Sequence, residues 1–156
     1  MSQDDGNVIS TIDLSPPKRI HLVGVGGTGM GSFAGMLKAA GHIVSGSDEN
    51  VYPPMSDMLR IWGIDVMTPY AEENVDRSNP ELVVIGNVIR RANVEATAVR
   101  NQMIPQMSFP AALGSLFLSK RHSIVVVGTH GKTTTSSLMG HVLVSAARDP
   151  SFLVGG

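Results

Sequence analysis

The sequence predicts an α/β fold in which a parallel sheet carries helices on both faces. Three observations predict it. Short runs that are apolar throughout, such as Leu82–Gly86 ("LVVIG") and Ile124–Val127, suit strands covered on both sides. Segments with helical spacing of apolar residues alternate with such runs along the chain. Two of the runs lead directly into glycine-rich turns that open a helix.

The elements follow in order. Arg19–Val25 reads as a buried strand, and Thr28–Ala40 as a helix with Gly41 beyond its end. His42–Ser47 is a second strand, stopping at Asp48. Pro53–Trp62 is helical, because Met55, Met58, Leu59 and Trp62 fall on one face before Gly63. Ile64–Met67 is a third strand. Thr68–Asn79 is polar and irregular, with room for one weak helical turn. Leu82–Gly86 is the fourth strand, Asn93–Gln102 a helix and Ile104–Met107 a fifth strand. Phe109, Leu113, Leu116 and Phe117 share a helix face. The charged break Lys120–His122 marks a domain boundary. Beyond it come a strand at Ile124–Val127, a helix at Lys132–Ala147 with Leu138, Met139, Val142 and Leu143 inward, and a strand beginning at Phe152–Val154.

Composition narrows the class. The chain has 156 residues, 42% of them hydrophobic and 16% charged, which favours a packed core over disorder. Net charge is −1 and no basic run occurs, which argues against nucleic-acid binding. Cysteine is absent, so disulfides and thiolate metal sites are excluded, and a cytoplasmic location fits. Met1–Ser15 lacks both the basic start and the apolar run of a signal peptide and reads, through residue 17, as a disordered tail. Ile20–Leu37 has no charged residue, but six of its 18 residues are glycine. A strand, a turn and a helix explain it better than a membrane span, and no membrane partner is expected.

Gly24-Val25-Gly26-Gly27-Thr28-Gly29 fits G-x-G-x-x-G, with a strand before it and a helix after. In a Rossmann-like turn of this kind the glycines permit the tight bend and a close approach of backbone to a pyrophosphate. The free amides and the helix dipole then favour the anion. Gly26, Gly27, Thr28, Gly29 and Met30 are the candidate contacts. Asp48, 19 residues past Gly29 at the end of the second strand, stands where a carboxylate can hold a ribose hydroxyl. NAD and a UDP-sugar both offer a pyrophosphate and a ribose, so this turn alone does not separate them.

The second turn, "GTHGKTTT" from Gly128, is shorter than the usual phosphate loop, because Val126 stands where the first glycine would be. The chemistry survives the shortening. Gly128 and Gly131 free the backbone to wrap phosphate oxygens, and Lys132 supplies a point charge. Thr133 is placed to ligate Mg²⁺ or a phosphate, with Thr134 beside it. ATP is the expected ligand, with Thr129 and His130 in the same loop. His130 reads equally as a phosphate contact or a solvated loop residue. His21, His42, His122 and His141 show no metal-ligand spacing and read as structural.

A short G-T-H-G-K-T-T-T loop behind a Rossmann-like domain carrying "GVGGTGMG" resembles the Mur ligases, over roughly Lys18–Gly156. The N-terminal turn resembles the branch that uses UDP-N-acetylmuramate and adds L-alanine. "GSDENVYPPMSDML", "VVIGNVIRRAN" and "IPQMSFPAAL" look more like the branch that attaches the recycled tripeptide L-Ala-γ-D-Glu-meso-diaminopimelate. The resemblance implies a tail over 1–17, a Rossmann-like UDP-sugar-binding domain over 18–119 and, over 120–156, the beginning of an ATP-binding domain, so that the chain reads as an N-terminal fragment. It implies ATP and Mg²⁺, with Lys132 and Thr133 catalytic. The carboxylate of UDP-N-acetylmuramate becomes an acyl phosphate, which the tripeptide amine attacks. Asn87, Arg91 and Asn93, after the fourth strand, become candidate sugar or phosphate contacts, or else solvated loop polars with Asn93 capping the next helix. The fragment is expected to bind the UDP-sugar without ligating. A nicotinamide-dependent oxidoreductase, which leaves Lys132 without a role, and a non-catalytic nucleotide-binding module are the rival classes.

Overall fold

A computed structural model of the chain describes residues 15–119 and 121–154. Most of the expected N-terminal tail, and Lys120 at the expected boundary, lie outside the described residues. The strands are β1 (Arg19–Val23), β2 (Ile43–Ser47), β3 (Asp65–Met67), β4 (Leu82–Ile85) and β5 (Gln106–Ser108). They form one sheet in the order β3-β2-β1-β4-β5, with every neighbouring pair parallel. The helices are α1 (Thr28–Ala39), α2 (Met55–Ile61), α3 (Glu72–Ser78), α4 (Val94–Asn101), α5 (Phe109–Leu113) and α6 (Lys132–Ser145). A π-helical turn over Gly114–Leu118 extends α5.

Strand alternation sends side chains to two cores. Ile20, Leu22, Val44, Leu82, Val84 and Met107 join Phe33, Ala34 and Leu37 of α1 and Leu59 of α2 on one side. Val23 and Val83 join Val75 of α3 and Ala98 and Val99 of α4 on the other. Each fully buried aliphatic side chain stabilises by about 1.5–3 kcal/mol, so both faces are well anchored. Phe33 is the hub of the larger core. Its ring meets Phe109 edge-on at 5.4 Å and Phe117 at 5.8 Å. Those rings reach it because Ser108 caps α5, accepting from the Ala111 amide, and Pro110 occupies the first turn. Helices α1 and α2 approach closely because α1 offers glycine where α2 offers bulk. A Cβ on Gly31 would stand 2.1 Å from the Met55 sulfur, and one on Gly35 2.8 Å from the Trp62 ring.

The α/β class and the parallel sheet are as the sequence predicts; several details differ. β1 ends at Val23, not Val25, because the Gly24 and Val25 amides both turn to the Ser47 carbonyl, at 2.8 and 3.0 Å. α2 is shorter than Pro53–Trp62. The stretch read as irregular, Thr68–Asn79, contains the regular helix α3, held to the core by Val75 and ended by Asn79 in the left-handed region. Ile124–Val127 and Phe152–Val154 are not strands: a buried strand needs a ladder partner, and among the described residues neither segment has one. Leu138, Met139 and Val142 of α6, expected inward, are exposed. Only Gly140 of that helix is buried, with the Phe152 ring 3.2 Å from where its Cβ would stand.

Candidate functional site

The chain order reverses at β1, which has β2 on one side and β4 on the other. In open α/β sheets ligands bind beyond the carboxyl ends of the strands at such a point. The turn after β1 and the loop after β4 meet there. The Gly86 amide donates to the Val23 carbonyl at 2.9 Å, and the Ile89 side chain closes on Gly24, 3.2 Å from where a Cβ would be. Gly24 has φ +92°, a conformation that a side chain would strain.

The amides of the turn fall into two groups. Those of Gly24 and Val25 are bound by the Ser47 carbonyl, and that of Gly26 donates to Asp48 Oδ2 at 2.8 Å. Those of Gly27, Thr28, Gly29 and Met30 have no acceptor among the described residues. They stand at the first turn of a 12-residue helix, where the dipole adds positive potential, and no acidic residue occupies that turn. Gly27 and Thr28 are exposed, Gly29 is half-buried and Met30 is buried.

Asp48 is engaged by the protein itself. Besides the Gly26 amide, its Oδ1 accepts from the Glu49 amide at 2.8 Å and from the Tyr70 hydroxyl at 3.2 Å. Burial, then the adjacent Asp48 carboxylate, push the Tyr70 hydroxyl far above its ordinary pKa, so it stays a donor. Tyr70 lines an open cleft of about 400 Å³ with Val88, Ile89, Arg90, Ala92 and Asn93. Asn87 and Arg91 are exposed on the same loop. The Asn93 side chain caps α4, accepting from the Glu95 and Ala96 amides at 2.9 and 3.1 Å.

Sequence reasoning missed Tyr70 and Glu95. Glu95 is fully buried: its carboxylate accepts from Ser47 Oγ, from Asn74 Nδ2 at 2.6 Å and from the Ala71 amide at 3.1 Å, with His21 Nε2 3.7 Å away. Burial alone would raise its pKa, but the adjacent His21 ring and the hydrogen bonds from Ser47, Asn74 and Ala71 outweigh it and hold the pKa below the ordinary value. A carboxylate in the first turn of a helix is usually solvated, and no spacing in the sequence distinguishes this one.

In the second turn, Gly131 has φ +76° and α6 begins at the next residue. The Lys132 ammonium lies across the loop, donating to the carbonyls of Gly128 at 2.8 Å and Thr129 at 3.3 Å. The amides of Lys132, Thr133 and Thr134 have no acceptor among the described residues. His130 is exposed, its Nδ1 3.2 Å from Thr129 Oγ1. Free amides, a lysine and two threonine hydroxyls suit the phosphates of ATP. Among the described residues no group of three His, Asp or Glu gathers to hold a metal by itself, so Mg²⁺ here would be shared between Thr133 and the phosphates.

A family model described as Mur ligase family, catalytic domain, matches residues 19–121. The UDP-N-acetylmuramate–L-alanyl-γ-D-glutamyl-meso-2,6-diaminoheptandioate ligase of Escherichia coli (strain K12) is 42% identical over 138 residues, 88% of this chain and 30% of the relative. A UDP-N-acetylmuramate–L-alanine ligase of Aromatoleum aromaticum is 40% identical over 141 residues, 89% of this chain and 29% of the relative. The chain thus spans about 30% of the length of these curated relatives. Among solved structures, the UDP-N-acetylmuramate:L-alanyl-γ-D-glutamyl-meso-diaminopimelate ligase of Neisseria meningitides superposes with a TM-score of 0.87 at 42% identity, covering 90% of this chain and 43% of that one. A UDP-N-acetylmuramate-alanine ligase of Thermotoga maritima gives 0.81 at 31% identity, covering 89% and 32%. With a matching family model over most of the sheet and the same fold in these ligases, the chain belongs to the Mur ligase family.

Proposed function

We propose that this chain forms the sugar-nucleotide site and carries the phosphate loop of an ATP-dependent ligase of peptidoglycan recycling, working in the cytoplasm. The substrate acid is UDP-N-acetylmuramate and the amine is the tripeptide L-Ala-γ-D-Glu-meso-diaminopimelate. One observation carries the reading: four consecutive amides, Gly27–Met30, stand without acceptors at the start of α1 while the amides before them are tied down. Such a helix start fits a diphosphate. The names of the relatives add the uridine sugar and the tripeptide.

In the proposed reaction the lactyl carboxylate attacks the γ-phosphorus of ATP and ADP leaves. The tripeptide amine then attacks the resulting acyl phosphate, and inorganic phosphate leaves as the amide forms. MgATP supplies the phosphoryl group and the leaving-group stabilisation. The residues here hold and align. Gly27, Thr28, Gly29 and Met30 anchor the diphosphate by their amides. Asn87, Arg91 and Asn93 border the sugar side, and Asp48 fixes the turn and faces the nucleoside. Lys132 would exchange its two carbonyl partners for the β- and γ-phosphates, Thr133 would be the residue to hold Mg²⁺, and Gly128–Thr134 would wrap the phosphates. Positioning and charge neutralisation are the main catalytic contributions. The UDP-N-acetylmuramate–L-alanine ligase is the second reading, favoured by relatives of that name that are 40% identical over 154 residues.

Isothermal titration calorimetry of the 156-residue chain tests this. Saturable binding of UDP-N-acetylmuramate and UDP, with no binding of NADH, is expected. NADH binding without UDP binding would replace the reading with a nicotinamide enzyme. Tripeptide-dependent ADP release by this chain alone would refute the expectation that it does not ligate.

A further inference from the structure

Glu95 holds a buried charge where an apolar side chain would satisfy the core at less cost. Its surroundings are built to keep it. The hydroxyl of Ser47, the amide nitrogen of Asn74, the Ala71 backbone N–H and the His21 ring all face its two oxygens. The His21 ring is held in turn, with Nδ1 2.9 Å from Ser45 Oγ and Nε2 3.2 Å from Ser47 Oγ. His21, Ser47 and Glu95 are all fully buried.

Two routes run from this carboxylate to the same bend. Through Ser47 it reaches Gly24 and Val25, whose amides share the Ser47 carbonyl. Through Ala71 it reaches Tyr70, whose hydroxyl holds Asp48, and Asp48 holds the Gly26 amide. The first three amides of the turn therefore depend on Glu95, and their placement orients the next four. Glu95 also sits two residues after Asn93 and its amide donates to the Asn93 side chain, so the loop after β4 ends at the same anchor.

We propose that Glu95 is a positioning residue: by fixing Ser47 and the Tyr70 segment it sets the bend at Gly24–Gly26 and so presents the amides of Gly27–Met30 for a diphosphate. This rests on the reading of that turn as the sugar-nucleotide site. Buried polar networks of this kind fix a single geometry when every member is satisfied.

The test is amide hydrogen exchange by NMR on the full chain, combined with calorimetry, for wild type and Glu95→Gln. Leu37 and Val84 serve as core references. In the variant the Gly24, Val25 and Gly26 amides are expected to exchange at least tenfold faster relative to Leu37 and Val84, with chemical-shift changes concentrated in Gly24–Met30. Kd for UDP-N-acetylmuramate should rise at least fivefold at a temperature where circular dichroism shows the variant folded. Exchange that accelerates equally at the turn and the references, or a Kd within twofold of wild type, overturns the proposal. If wild type binds no uridine nucleotide but the turn amides still loosen selectively, the sugar-nucleotide reading fails while the positioning role stands. Should Glu95→Gln not fold, Asn74→Ala, which removes one donor from a half-buried position, decides by the same two readouts.

Discussion

Replacing Gly26 with alanine tests how the glycine turn after β1 is held. Gly26 is not in the left-handed region, so the added methyl acts through space and not through backbone strain. Its Cβ would stand 2.9 Å from Asp48 Oδ2 and 3.2 Å from the Asn50 carbonyl oxygen. The carboxylate must withdraw, and the 2.8 Å bond it accepts from the Gly26 amide goes with it. A backbone amide bound to a carboxylate contributes about 1.5–3 kcal/mol, and the half-buried setting of Asp48 puts this one near the lower end, about 1.5 kcal/mol. For a domain of this size that lowers Tm by about 3–6 °C. Thermal denaturation followed by circular dichroism measures it, and a double-mutant cycle with Asp48→Ala assigns the cause. If the methyl acts through Asp48, Gly26→Ala costs little once Asp48 has already lost its carboxylate. Additive effects of the two substitutions would refute the argument and move the cause to the Asn50 backbone.

The other predictions are simpler to read. Phe33→Ala removes a fully buried ring and with it the edge-on contacts to Phe109 and Phe117, and should cost about 3–5 kcal/mol in urea denaturation. Asn93→Ala removes the cap of α4 and should cost about 1 kcal/mol; Asn93→Asp, which can still accept from both amides, should cost less. Burial lowers the His42 pKa below the ordinary 6.5, and its Nδ1 has no hydrogen-bond partner. The unfolded chain then takes up a proton that the folded chain refuses, so His42 favours folding fully above about pH 6.5 and less as pH falls toward the folded value. Denaturant midpoints between pH 5 and 8 should show a shallower acid-side loss in His42→Gln than in wild type.

How much of this was legible in the sequence depends on what each signal measures. The glycine turns and the apolar runs of β1 and β4 report backbone needs and burial, and they placed the sheet. Helix α3 was hidden because a seven-residue helix needs only one apolar anchor, Val75, and its entry residue Ala71 offers no side-chain cap. Ile124–Val127 misled for the opposite reason: an apolar run states that a segment can be a strand, while a ladder requires a neighbour. At the candidate site, Gly26–Met30 and Lys132–Thr134 stand out in the sequence because a glycine turn before a helix leaves backbone amides without partners, a local pattern. Asp48 was singled out by its place directly after β2, but its bonds to Gly26, Glu49 and Tyr70 depend on the third dimension. Glu95 was invisible, since its donors Ser47, Ala71 and Asn74 lie 48, 24 and 21 residues away, beyond the reach of any local pattern.

The contact between Trp62 and Gly35 has a practical consequence. Trp62 is the sole tryptophan of the chain, and its ring lies against α1, the helix that begins at Thr28. Indole emission excited near 295 nm therefore reports the environment of that helix without any label. A spectral shift on adding a uridine nucleotide would give an optical titration from a chromophore that the protein already carries.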